Sequence, residues 1–250
     1  MEQNQEELSK NEDQSKYIIP ASIVVAGVLI AFAIIYSRAP ALPSGNTGSN
    51  AQNNQGAAPS ADAVKILKIK QDDFVLGSPS AKVAFVEYAD FQCPFCGRFF
   101  SAVEPQLIGQ YIKTGRVALV YRDFAFLGEE STRAAEAARC AGEEGKFWEY
   151  HNYLFSHQNG ENQGSFSDAN LKEFAATLKF DQVKFNACFD SGKYKKAVEN
   201  ASAEGRSIGV SGTPTSFING RLLADDNGNS VGAAPFATFQ KAIEQALKAD

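Results

Sequence analysis

A short apolar run, Val83-Ala84-Phe85-Val86-Glu87-Tyr88, leads within four residues to Cys93-Pro94-Phe95-Cys96. The run has the composition and length of a buried strand. Pro94 suits the first turn of a helix, and Phe99, Phe100, Val103, Leu107 and Tyr111 continue that helix at its own spacing. Pro105 removes one backbone bond and is expected to kink it. Gly115 ends the helix, and Val117 to Tyr121 reads as the next strand. The two cysteines therefore sit between a strand and a helix in a β-α-β unit.

A mostly helical stretch follows. Ala134 to Phe155 carries Ala138, Ala141, Trp148 and Leu154, and Trp148, Phe147 and Tyr150 are expected to pack it. Leu171, Phe174, Ala175 and Leu178 mark a second helix capped by Ser167 or Asp168, Asp181 caps a third reaching Cys188, and Tyr194 to Ile208 forms a fourth. Beyond Thr213-Pro214, the run Thr215 to Ile218 and Arg221 to Leu223 flank Asn219-Gly220, a strong hairpin signal. Pro235 opens a last amphipathic helix with Phe236, Phe239, Ile243 and Leu247. The order β-α-β, helical block, β-β-α predicts an α/β fold, a central mixed sheet flanked by helices, with a helical insert over about residues 127–210.

Ahead of this domain, Tyr17 to Tyr36 is a 20-residue stretch without a charge, bounded by Lys16 and Arg38. As a helix it spans roughly 30 Å, the thickness of a bilayer core. It reads as one N-terminal transmembrane helix, a signal anchor, with tyrosines where interfacial aromatics are expected. A cleaved signal peptide is the alternative, but the apolar run is long and the tail before it is long and acidic. Residues 1–16 form that tail, predicted to be cytoplasmic on a weak excess of lysines. Residues 37–63, rich in Ser, Gly, Asn, Gln, Ala and Pro, read as a flexible linker with a mean reach of roughly 30 Å. Residues 64–250 would then be the folded domain, outside the cytoplasm.

The formal charge is −5 over 250 residues, with −3 of it in residues 1–16, where five acids face two lysines. Arg38 and Asp62 cancel, leaving about −2 for residues 64–250 by subtraction. A nearly neutral domain without a basic run argues against a nucleic-acid partner.

Two cysteines three apart at a helix start can close a small disulfide, and the backbone N–H groups there favour the thiolate of the first. The spacing alone also fits half a zinc site or an inert bridge. Zinc needs two more ligands, and His151 and His157 lie more than fifty residues away at an unsuitable spacing. No metal or cofactor is expected, and both histidines read as surface or internally satisfied residues.

The segment Glu87-Tyr88-Ala89-Asp90-Phe91-Gln92-Cys93-Pro94-Phe95-Cys96 resembles the active-site segment of DsbA-like proteins of the thioredoxin superfamily. Tyr121-Arg122-Asp123-Phe124, Ala138-Arg139-Cys140-Ala141, Gly145-Lys146-Phe147-Trp148 and Gly212-Thr213-Pro214-Thr215 extend the resemblance over nearly all of residues 70–250. It implies a thioredoxin-like fold with a helical insert and a thiol–disulfide oxidoreductase. By position, Cys93 resembles the exposed nucleophile and Cys96 the buried resolving cysteine. Pro214 resembles the cis-proline facing the dithiol, and Thr213 the residue whose backbone pairs with substrate. Pro94 and Phe95 line the same substrate-facing surface. Glu87 matches a buried acid that exchanges protons with the resolving thiol, although a solvent-facing strand residue stays open. Strongly oxidising members carry Pro-His between the cysteines. Phe95 offers the Cys93 thiolate no charge or donor, so a milder oxidant is expected.

Similar pairs in some relatives favour a structural disulfide between Cys140 and Cys188, against two free buried thiols. Such a bridge would close a loop of roughly fifty residues, for which the loop-entropy model gives roughly 4 kcal/mol. The resemblance implies reduced or misfolded polypeptides as substrates and a membrane quinone-linked reoxidising partner of the DsbB or vitamin K epoxide reductase type. A reductase or isomerase using the same pair, or a tethered holdase, would be compatible with the same residues.

Overall fold

The computed structural model describes residues 65–249. The expected tail, anchor and linker all lie outside those residues. Among the described residues no helix is long and apolar enough to cross a membrane.

The strands are β1 (Phe74–Leu76), β2 (Val83–Ala89), β3 (Val117–Asp123), β4 (Thr215–Ile218) and β5 (Arg221–Leu222). They form one sheet in the order β1-β3-β2-β4-β5, with β2 and β3 parallel and the other pairs antiparallel. Helix α1 (Pro94–Ala102) makes the crossover from β2 to β3. It breaks at Val103, restarts as α2 (Glu104–Leu107) and ends in a π turn, Ile108–Ile112. Pro105 accounts for the break, because it has no N–H to donate back into the preceding turn.

Five helices separate β3 from β4: α3 (Glu129–Glu143), α4 (Phe147–Ser156), α5 (Asp168–Thr177), α6 (Gln182–Asp190) and α7 (Lys195–Ser207). The stretch read from sequence as running from Ala134 to Phe155 is two helices. Gly145, at φ +70°, turns the chain between them, a conformation glycine adopts without the steric cost of a Cβ. Asp181 caps α6 by accepting from the amides of Val183 and Lys184. Asn219 and Gly220, at φ +47° and +80°, make the β4–β5 hairpin. Helix α8 (Phe236–Lys248) closes the fold.

Side-chain alternation along β2 assigns the two sheet faces. Phe85, Glu87 and Ala89 point to one face. There, α1, α2, the break between them and α8 contribute Phe99, Leu107, Val103, Phe239 and Ile243, while the insert supplies Phe147, Tyr150, Leu154 and Phe155. Val86 and Tyr88 point to the other face, where they pack with Leu67, Val120, Phe124, Val210 and Phe217. Helix α7 comes so close to that face that a Cβ on Gly205 would meet Tyr88 and Phe124 at 3.0 Å.

Strand β1 was not anticipated, being only three residues long. A buried ion pair secures its approach: Arg122 of β3 holds both carboxylate oxygens of Asp73 at 2.8–2.9 Å and also donates to the carbonyls of Ile66 and Lys68. Cys140 of α3 and Cys188 of α6 are joined by a disulfide spanning 48 residues.

Candidate active site

Strand β2 delivers the chain to the dithiol, and β4 delivers the loop that faces it. Because Tyr88 pairs with Thr215 and Glu87 with Ser216, the residues just before β4 lie beside those just after β2. Thr213 and Pro214, joined by a cis peptide bond, are thereby set against Cys93. The Cys93 thiol donates to the Thr213 carbonyl at 3.3 Å.

Cys93 is the N-cap of α1, Pro94 is its first residue, and the Cys93 carbonyl accepts the first helical bond from the Gly97 amide at 3.0 Å. Both cysteines are free thiols. Cys96 is wholly buried, and Cys93, expected to be exposed, is only 4% accessible. The Thr213-Pro214 loop covers it from a part of the chain 120 residues away. Pro94 is exposed, and Phe95 is 53% exposed with the Arg98 guanidinium 5.3 Å from its ring centre.

The two sulfurs differ sharply in acidity. The Cys93 thiol is lowered from 9.0 to about 6, first by a hydrogen bond from Cys96, against the opposing effect of burial. The Thr213 side chain and the amides of Cys96 and Phe95 add to the lowering. The Thr213 hydroxyl has no partner while Cys93 is a thiol, so it is available to the thiolate. Burial, followed by the hydrogen bond and negative charge of Cys93, pushes Cys96 well up. That contrast suits Cys93 to serve as nucleophile or leaving group while Cys96 holds its proton.

Glu87 lies under this pair on the core face of β2, only 3% exposed. Burial pushes its carboxyl well above the usual range, and the charges of Glu104 and Cys93 add to the effect.

A polar network ties the insert to the active-site loop. Asp90 accepts from the amides of Gln92, Phe126 and Leu127 and from the Ser131 hydroxyl. The Gln158 side chain, just beyond α4, donates to the carbonyls of Phe91 and Cys93. A Cβ on Gly97 would meet the Gln158 side-chain oxygen, so a larger residue there would push the Gln158 side chain off these carbonyls. His151 is internally satisfied: it is 1% exposed, pairs with Asn152 and is held neutral, its pKa lowered by burial to about 4. His157 stands exposed at the end of α4.

The thioredoxin family profile matches residues 70–245. The chain belongs to the thioredoxin family. The crystal structure of oxidised BdbD from Bacillus subtilis resembles this thioredoxin-family domain with a TM-score of 0.63 at 25% identity, covering 71% of this chain and 94% of that one. Alpha-DsbA1 from Wolbachia pipientis shares the fold, with a TM-score of 0.64 at 24% identity over 74% of this chain and 96% of that one. In sequence, the probable disulfide bond formation protein D of Bacillus cereus is 28% identical over 177 residues, covering 69% of this chain and 78% of that protein. The Na(+)/H(+) antiporter NhaA 3 of Salinispora tropica is 36% identical over 155 residues, covering 60% of this chain and only 22% of the antiporter. The thioredoxin-family domain is accordingly a DsbA-like protein thiol–disulfide oxidoreductase domain.

Sequence reasoning passed over Asp90, Gln158 and Glu104. Asp90 lies inside the motif that carries the resemblance, yet nothing local shows its four partners. Gln158 meets the active site only through the fold. Glu104 carries a signal that is easily discounted, an acid next to a helix-breaking proline.

Proposed function

We propose that this protein is an extracytoplasmic oxidase that introduces disulfides into secreted or envelope polypeptides. Residues 17–36 anchor it in the membrane with its amino terminus in the cytoplasm. The observation that carries this reading is the contrast between the two sulfurs, with Cys93 held near pKa 6 while Cys96 stays protonated. A stabilised Cys93 thiolate favours the reduced enzyme and makes Cys93 a good leaving group, so the disulfide is oxidising.

A substrate thiolate attacks Sγ of Cys93, the Cys93–Cys96 bond breaks, and its electron pair leaves on Cys96. Cys96 takes a proton from Glu87. A second substrate thiolate then attacks the substrate sulfur of the mixed disulfide and expels Cys93 as the thiolate. The substrate gains a disulfide and the enzyme two electrons. Thr213 offers its backbone to the substrate strand, a form of β-augmentation, while Pro94 and the exposed Phe95 face the incoming chain. Reoxidation falls to a membrane quinone-linked partner of the DsbB or vitamin K epoxide reductase type.

Phe95 favours a second reading, because it adds no donor to the Cys93 thiolate. A milder couple would act as a reductase or isomerase. The test is to mix the oxidised full-length protein with a reduced peptide bearing two cysteines. Rapid peptide oxidation that is lost in Cys93→Ala supports the oxidase. Faster reduction of a peptide disulfide by the reduced protein would favour the second reading. A Cys93→Ala variant that protects a reduced client as well as its parent, when that parent forms no client disulfides, would point to a holdase.

A further inference from the structure

Cys96 is wholly buried, so every proton that it gains or loses must cross protein. Glu87 is the first carrier, and it too is buried, only 3% exposed. A second carboxyl lies beyond it. Glu104 follows the break between α1 and α2, is also 3% exposed, and forms no ion pair among the described residues.

Its neighbours along the chain span both core and surface. Phe100 packs on the cluster shared with the insert and Val103 on the cluster under α8, and Glu104 comes just after both, at the break. Trp148 of α4 packs against both clusters, and its buried indole N–H has no partner. Ala102, Pro105 and Gln106 on either side of Glu104 are exposed. Across the sheet, Ser216 lies directly opposite Glu87 on the same face, and its buried hydroxyl also has no partner.

We propose that Glu104 is the outer carboxyl of a two-acid proton relay, Cys96–Glu87–Glu104, that connects the buried resolving thiol to solvent at the α1–α2 break. This rests on the dithiol reading above and extends it. When the Cys93–Cys96 bond opens, the Cys96 thiolate takes the Glu87 proton, Glu87 takes the Glu104 proton, and Glu104 recovers one from water. Reoxidation runs the same path outward. The carboxyls suit this work because burial raises both of them above the usual carboxylate range. Burial raises Glu104 to about 8, and its charge in turn opposes ionisation of Glu87. The titratable groups facing the relay are Cys93 and Cys96 from α1, Tyr121 from β3, which pairs with Glu87, and the neutral His151 from α4, packed on Tyr121. Glu244 of α8 is engaged elsewhere, by Tyr111 and Arg116. Glu104 is a positioning residue for the proton and does not touch substrate.

The test uses the reduced full-length protein and oxidised glutathione, followed by rapid quench and mass analysis from pH 5 to 9. Attack by Cys93 forms the mixed disulfide, and deprotonation of Cys96 resolves it. In Glu104→Gln the first step keeps its parental rate, the second slows about tenfold at pH 7, and its pH dependence flattens. Because the acids act in series, Glu87→Gln/Glu104→Gln is no slower than Glu87→Gln alone. A parental second step in Glu104→Gln beside a slowed one in Glu87→Gln would overturn the relay and leave the Glu87 assignment standing. Parental second steps in both would overturn both assignments while mixed-disulfide formation at Cys93 still stood. Should Glu104→Gln not fold, Glu104→Asp decides, since it keeps the acid but draws it back by one methylene. A displaced pH limb supports the relay and an unmoved one overturns it.

Discussion

The Cys93 sulfur and the Thr213 carbonyl lie 3.3 Å apart, although 120 residues separate them in the chain. The contact arises because β4 pairs with β2, which puts the loop entering one strand against the loop leaving the other. The dithiol is therefore flanked by helix α1 on one side and the proline loop on the other.

Thr213→Val removes the hydroxyl that lowers the Cys93 thiol while keeping the side chain's shape. The Cys93 pKa rises above about 6 by a fraction of a unit, and thiolate absorbance near 240 nm measures the shift. The Cys93 thiolate then leaves less readily, and the potential moves in the reducing direction.

Phe95→His places a donor and potential cation beside the thiolate, at a position already half open to solvent. The Cys93 pKa falls further and the disulfide becomes more oxidising. Each pKa unit by which Cys93 falls further below the working pH is worth about 30 mV in a two-electron couple. Equilibration with glutathione checks the change.

Glu104 also gives stability a pH signature. Its carboxyl titrates at about 8 in the folded chain against 4.5 ordinarily, so between those values the unfolded chain binds fewer protons and stability falls as pH rises. Glu104→Gln removes that slope. The variant gains on its parent from pH 5 to pH 8 by a few kcal/mol, of order 1.4 kcal/mol per pKa unit, as read by urea unfolding at each pH.

Removing the Cys140–Cys188 bridge by paired alanines costs about 4 kcal/mol on the loop-entropy model, for a loop of 48 residues. The Cys93 pKa stays at its parental value, because neither residue is among the groups that shift it. Thermal unfolding and thiolate titration together separate the two effects.

Most of the frame was legible in the sequence, because β2, α1 and the β4–β5 hairpin declare themselves through local chemistry: an apolar run, Pro94 at a helix start, and Asn219-Gly220 in a turn. The insert's helices followed from their spacing, although Gly145 splits what looked like one helix. Strand β1 stayed hidden, since three residues show no periodicity and its anchor, Arg122 on Asp73, spans 49 residues. The burial of Cys93 was misjudged for a similar reason, because its cover comes from the far end of the domain. Glu104 was passed over, although its spacing from Phe100, Leu107 and Tyr111 already sets it on the buried face of that helix.

The reduction potential of the full-length protein, measured against glutathione from pH 4.5 to 8.5, tests the central claim most directly. With Cys93 titrating at about 6 and Cys96 protonated, the potential falls by about 60 mV per pH unit below pH 6, where two protons accompany two electrons, and by about 30 mV above it. At pH 7 it lies well above the roughly −270 mV of thioredoxin and below the roughly −120 mV of DsbA. A potential near that of thioredoxin, with an unbroken slope through pH 6, would contradict the account.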